Sequence, residues 1–398
     1  EMEAELYLWG SNQYGQISNR GAEDDECQPV KVDLSDEMEK AVATTASAEA
    51  TQLWLGPSTT CFSAGHIVYA RGNNNKSQLG CAFGGEVRLW REIFVAEAKV
   101  VQIGCGWEHT IILCESGAWF GAGSNDYHQL IPPCHRLSEV TRLHSFTQLW
   151  LMDRSEQDGG KMSCGEGDKI VALSTCVRHT LFLTANGRCW GIGEGRHGQL
   201  SERWEQLRKD SRTTSCATAV ELHHPAGLPW KVVSAGHFHS LLLDDSGTLY
   251  ACGRNKDGEV DASSAGQPMR SLVAIASSEV QDAATMWFSS LWLRLKDRSV
   301  QGCGRSSMGQ LAICRDFAKD RSLLQWSAGS EHGIGLFDDG SMWTWGWNDH
   351  GQCGNGEKSE RVEPTQLDEL SRLSHQWQTT IVRAGGGHSG TLFLSPLT

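Results

Sequence analysis

A ten-residue pattern recurs seven times along the 398 residues, and it restricts the possible folds more than any other feature. It reads WGSNQYGQIS from Trp9, RGNNNKSQLG from Arg71, AGSNDYHQLI from Ala122 and GIGEGRHGQL from Gly191. The others are CGRNKDGEVD from Cys252, CGRSSMGQLA from Cys303 and WGWNDHGQCG from Trp345. Each is anchored on a common glycine (Gly10, Gly72, Gly123, Gly193, Gly253, Gly304, Gly346). Six positions later stands Gln16, Gln78, Gln129, Gln199, Glu259, Gln310 or Gln352, followed by an apolar residue. The anchor glycines lie 42 to 70 residues apart, a period that suits a propeller blade with variable loops and not a helical solenoid.

A second element stands about 14 residues before most kernels: GWEHTIILCESGAWF, VRHTLFLTANGRCW, HFHSLLLDDSGTLY and SEHGIGLFDDGSMW. Each is an apolar run, a short turn ending in glycine and a second run, the signature of a β-hairpin. Strand, hairpin and kernel turn together predict one four-stranded blade. The last residues, AGGGHSGTLFLSPLT, carry the front half of a repeat, and the first, AELYLWGSNQYGQ, carry a back half. The expected fold is therefore all-β, a seven-bladed β-propeller. Glu5 to Trp9 should pair with His388 to Leu394 in a closing blade that leaves no open edges. A single propeller domain is expected over 1–398, with long loop insertions at about 131–170 and 201–230. DLSDEMEKAV, from Asp33 to Val42, predicts a short helix capped by Ser35.

Composition narrows function. Glycine is abundant (44) and proline scarce (9), as expected for many tight turns between strands. A net charge of −13 with no Lys/Arg run argues against direct nucleic-acid binding. No apolar run approaches the roughly 20 residues of a membrane helix, so no membrane association is expected. The opening EMEAELYLWG is acidic and goes straight into patterned sequence, so a signal peptide is not expected. The 14 cysteines form no C-x-x-C pair and are expected as reduced thiols of the cytoplasm, with the nucleus as second compartment.

Enzyme chemistry finds no foothold. His109, His179, His239, His332 and His388 recur in register in five repeats, which marks an architectural hydrogen bond tying a turn to its blade. Gly193-x-Gly195-x-x-Gly198 matches a dinucleotide fingerprint but lies in kernel register, with no amphipathic helix expected after it. His237 and His239 form an H-x-H without an evident third ligand. No catalytic residue, metal or cofactor is expected.

The G-x-N-x-x-G-Q-L and G-x-x-H-[ST] motifs resemble those of the regulator of chromosome condensation repeat family, whose members form seven-bladed propellers. Three stretches are similar to its fungal alpha-tubulin suppressor, or killer-toxin-insensitivity, branch. They are CGWEHTIIL at Cys105, MWFSSLWL at Met286 with the GRSSMGQL beyond it, and GSEHGIGLFDDGSMWTWGWNDHGQCG from Gly329. The resemblance implies a non-enzymatic scaffold that pairs with a small CSL-type zinc-finger electron-carrier protein. Through that heterodimer it implies support of diphthamide synthesis on elongation factor 2 and, with Elongator, of tRNA wobble-uridine modification. The alternative is guanine-nucleotide exchange on a Ran-like small GTPase. In the family's Ran exchange factor, the residue before each hairpin histidine faces the GTPase and is often acidic or histidine. Here that ring reads Ser58, Glu108, Arg178, Phe238, Phe288, Glu331 and Gly387, which meets the pattern only in part. The position before it carries Trp107, His237 and Trp287 among Pro57, Val177, Ser330 and Gly386. One packing role common to all repeats would have kept one residue type. The expected partner-binding residues are Trp107, Glu108, His237, Phe238, Trp287, Phe288 and Glu331.

Overall fold

The computed structural model describes residues 2–18, 25–45, 47–130, 140–149, 168–201, 219–277, 279–296, 298–312 and 321–396. They form seven antiparallel sheets arranged as the blades of a propeller. The first blade runs Thr51–Leu55, Thr59–Ala64, Ile67–Asn73, Glu86–Val95 from the innermost strand outward. The second begins at Val100–Cys105, the third at Ile170–Thr175 and the fourth at Trp230–Ala235. The fifth, with three strands among the described residues, begins at Val280–Thr285, and the sixth at Leu323–Ala328.

The seventh blade closes the ring with strands from both ends. Its order is Glu26–Val32, Met2–Gly10, His388–Pro396, Thr379–Ala384. Leu6 faces Leu392 and Trp9 faces Ser389, as expected from the two half-repeats, and the ladder extends from Met2–Pro396 to Gly10–His388. The helix after it is Asp36–Ala43, with the Ser35 hydroxyl accepting from the Met38 N–H. The sequence signals did not reveal a second helix, Asp368–Ser374, because its cap is Leu367, which offers no side-chain acceptor. The expected insertions also hold blade strands. Arg142–Leu149 is the outer strand of the second blade, Val220–Glu221 that of the third, and Trp230 opens the fourth. Residues 131–139, 150–167 and 202–218 lie outside the described part.

Each kernel folds into the same turn. The anchor glycines all have positive φ, from 102° to 126°. A Cβ at Gly123 would lie 2.3 Å from the Glu108 carbonyl oxygen, so no other residue fits there. The kernel glutamine Oε1 accepts from the N–H two residues earlier, as in Gln16 to Tyr14 and Gln352 to His350. The Gly193-x-Gly195-x-x-Gly198 run is such a turn, with Gln199 accepting from His197.

The recurring histidines stitch blade to blade instead of securing a turn to its own sheet. The Nε2 atoms of His109, His179, His239 and His332 reach the hydroxyls of Thr180, Ser240, Ser290 and Ser389 in the next blade, at 2.9–3.3 Å. His388 reaches Thr60 at 3.0 Å and so ties the closing blade to the first. Each hydroxyl also lies against a kernel carbonyl, as Thr60 does to Gln16 at 2.8 Å. A hydroxyl has one proton, which it donates to the carbonyl, so Nε2 must be the donor to the hydroxyl oxygen. Burial holds these rings at pKa values of about 3, or about 4 for His332. In the sixth blade Gly333 replaces the hydroxyl. The Trp345 indole fills its place and donates to the Gln310 carbonyl at 3.1 Å.

Candidate functional site

The loop between the first two strands of each blade and the kernel turn between the last two emerge at the same end of the sheet. One face of the disc therefore carries fourteen such segments. Around the axis, main-chain bonds join neighbouring loops. Trp287 N–H donates to Ser330, Ser330 to Gly385, and Gly386 to Gly56, at 2.8–3.0 Å. His237 donates to Trp287, and Trp107 to Cys176, each at 3.3 Å. This girdle leaves a channel of only ≈ 100 Å³ and fixes where the variable side chains stand.

Trp107 and Trp287 come from the second and fifth blades, yet their rings meet over the axis with centroids 5.5 Å apart. His237 lies 5.6 Å from Trp287 and stacks on Phe238 at 3.8 Å and 19°. Phe288 lies 5.4 Å from His237, and His197 of the third blade's kernel lies 4.4 Å from Phe238. Five aromatic or imidazole groups of the expected set are thus one continuous cluster. Trp107 remains 44% exposed, an unusual state for an indole that serves only packing.

Charges ring this cluster. Arg254 and Arg305 lie over the Phe288 ring at 4.8 and 4.2 Å, within cation–π range. Arg178 covers Tyr127 at 4.3 Å. Glu194 is paired with Arg178 at 3.5 Å and with Arg196. Asp257 joins Arg254 at 2.7 Å to Arg305 at 3.4 Å. Burial and the arginines hold His237 and His197 down to about 4, so both are neutral acceptors at pH 7.

The two expected acids stand apart from the cluster. Glu108 faces Lys76 at 3.8 Å beside Asp126. Glu331 is buried, bound by the Gln310 amide and by Arg305 at 3.6 Å, and is not presented to solvent. A cavity of ≈ 530 Å³ opens between Lys76, Glu108, Tyr127, Arg178, Trp107 and Trp287. Tyr127, Arg196, His197, Arg254 and Arg305 were not among the expected residues. Their signal is kernel register: they occupy the variable positions one to four residues after the anchor glycine, on the same face as the loops. Among the described residues no group of three potential ligands could hold a metal, and His237 and His239 differ in surroundings. His239 is buried against Ser290, whereas His237 stacks on Phe238.

The fold and this face define a β-propeller with a built surface around its axis. The regulator of chromosome condensation (RCC1) repeat matches residues 339–394, and a second model of that repeat matches 100–129, 230–259 and 325–352. The chain thus carries RCC1-type repeats on a seven-bladed propeller. It is 26% identical to the mouse "Secretion-regulating guanine nucleotide exchange factor" over 97% of this chain and 83% of that protein. It is 25% identical to an RCC1 repeat-containing protein of Schizosaccharomyces pombe over 76% of this chain and 93% of that protein. Among solved structures, Saccharomyces cerevisiae Prp20p superposes with a TM-score of 0.74 at 17% identity, covering 98% and 91% of the two chains.

Proposed function

We propose that this propeller is a non-enzymatic interaction scaffold whose aromatic face seats a small CSL-type zinc-finger electron-carrier protein. Through that partner it would support diphthamide synthesis on elongation factor 2 and Elongator-dependent modification of tRNA wobble uridines, in the cytoplasm. One observation carries the reading. Two of the three stretches similar to the fungal alpha-tubulin suppressor branch, CGWEHTIIL and MWFSSLWL, lie in the second and fifth blades, yet they deliver Trp107, Trp287 and Phe288 to one spot on the disc. Aromatic side chains clustered at the centre of a face are the usual anchors of a protein interface. The test is titration calorimetry of the purified propeller with a zinc-loaded CSL-type protein. A one-to-one complex is expected, and no heat of binding at micromolar concentrations would refute the assignment.

A second reading, guanine-nucleotide exchange on a small GTPase, is favoured by the likeness to the mouse exchange factor over nearly the whole chain. The same face would have to serve it, although Glu331 is withdrawn beneath Arg305. Release of labelled GDP from Ran separates the two. No acceleration is expected, and a clear stimulation would put exchange first.

A further inference from the structure

The ion pairs around the aromatic cluster are unequal in what they offer to solvent. The Glu194 side chain is wholly buried, Glu259 keeps 1% of its surface and Glu331 10%. The arginine side chains facing them keep 30% for Arg178, 46% for Arg196 and 35% for Arg305, but only 16% for Arg254. Each guanidinium has five N–H donors, and the inward carboxylates engage only part of them. The buried acids thus act as counter-charges that hold arginines in place, and the exposed layer of the third blade, where Arg178 and Arg196 stand over Glu194, is positive, while Asp257 balances Arg254 and Arg305 in the next two blades. The field is felt locally, since His197 is held down first by burial and then by Arg196, Arg254, Arg178 and Arg270. Beside this belt, Arg178 forms a wall of the ≈ 530 Å³ cavity, with Trp107, Tyr127 and Trp287 as its apolar lining. Glu108 and Asp126 line the same cavity, where Lys76 lies 3.8 and 3.7 Å from them.

We infer that this sector binds an acidic protein segment carrying one large apolar side chain. The side chain enters the cavity between Trp107, Tyr127 and Trp287, and the flanking carboxylates pair with Arg178 and Arg196. Planar guanidiniums stacked on rings are preorganised for bidentate capture of carboxylates. A net charge of −13 over the whole chain repels a long polyanion and favours a short acidic segment over nucleic acid. This inference rests on the aromatic face being the binding face, and not on the identity of the zinc-finger partner.

The probe is a fluorescein-labelled 14-residue Asp/Glu peptide with a central tryptophan, followed by fluorescence anisotropy against the full chain. Controls are the same peptide with Lys for Asp/Glu, one with Ala for Trp, and a 14-mer oligouridine. The acidic tryptophan peptide should bind best and weaken about tenfold from 50 to 300 mM NaCl. Trp107→Ala and the triple change Arg178→Gln, Arg196→Gln, Glu194→Gln, which removes the buried charge with its partners, should each weaken it about tenfold. Lys358→Gln, outside the sector, should change nothing. If the triple variant does not fold, the salt dependence and the Lys peptide decide alone. Equal binding of acidic and basic peptides, tighter binding of oligouridine, or indifference to the arginines in a folded variant would overturn the inference. Unlabelled CSL-type protein should displace the peptide. A peptide that binds but is not displaced leaves this inference standing and removes that partner. A CSL-type protein that binds regardless of the arginines does the reverse.

Discussion

The seam between the closing and first blades and the sector from the second to the fifth blade share one main-chain girdle but differ in everything mounted on it. At the seam the loops meet backbone to backbone, and a Cβ on Gly386 would lie 2.4 Å from the Pro57 Cα. In the sector, side chains fill the equivalent positions and turn toward each other across the axis, Trp107 against Trp287. The histidine–hydroxyl stitches are the same in both regions, at His388 to Thr60 and at His179 to Ser240. The scaffold therefore does not require indoles. Where the fold alone decides, the loops are reduced to glycine, proline and serine. Where they are not, the surplus aromatic and guanidinium groups point to binding.

The most severe way to break the seam is to remove residues 2–10. The strand Met2–Gly10 lies between Glu26–Val32 and His388–Pro396, so its loss leaves Glu26–Val32 without a partner and bares one edge of His388–Pro396. A fall in melting temperature of at least about 10 °C is expected by circular dichroism. An unchanged melt would show that the ring does not depend on its closing blade.

Acid should act on both regions through their common stitches. The buried imidazoles have native pKa values depressed to about 3 or 4, below the ordinary value near 6.5. Between those limits the unfolded chain binds more protons than the folded one, so stability is present above about pH 6.5 and is lost as pH falls. From pH 7 to 5 each ring can withdraw up to roughly 2 kcal/mol. Glu194, Glu259 and Glu331, raised by burial, take up protons first in the folded state and partly offset the loss. Urea titrations at pH 7 and 5 should show a drop of several kcal/mol. A flat profile would mean that the histidines are not neutral and buried.

Gly386→Leu tests the seam at a single atom. Overpacking there should cost about 3 kcal/mol in denaturant unfolding. Val177→Leu, at the equivalent position in the sector, should cost less than about 1 kcal/mol. Equal costs would erase the distinction between the two regions. The finest test concerns Trp287→Ala. It should weaken CSL-type partner binding at least about tenfold, roughly 1.4 kcal/mol, while the propeller stays folded. Because the two indoles touch, Trp107→Ala should follow closely, and the double variant should lose less than the sum of the two. Wild-type affinity in a folded Trp287→Ala protein would return that indole to blade packing.

The sequence revealed the blades because each repeat must satisfy the same turn. Gly10, Asn12 and Gln16 recur, some with substitutions, because a left-handed residue, an acceptor for the Ile17 N–H and an acceptor for the Tyr14 N–H are needed each time. The closing pair was readable because two half-repeats had only each other. Two features escaped. The approach of Trp107 to Trp287 depends on how far loops lean over a narrow axis, and spacing along the chain does not encode that. The withdrawal of Glu331 depends on Gln310 and Arg305, both from the preceding kernel, so a loop read by itself could not show it. The partners of the histidines were within reach, since Thr or Ser follows the hairpin histidine in most repeats, but the link crosses from one repeat to the next.

The mixed closing blade also sets a schedule for making the protein. Leu6 finds Leu392 only after nearly the whole chain has left the ribosome. At roughly 5–20 residues per second that is a wait of about 20 to 80 seconds. During that time Met2–Gly10 lacks its inner neighbour and the growing row of blades ends in a bare edge, the kind of surface that pairs with strangers. Ring closure is therefore a late, all-or-none event in biosynthesis. The stitch from His388 to Thr60 works as its latch, because neither of the sheets it joins can engage the other until the last repeat has been made.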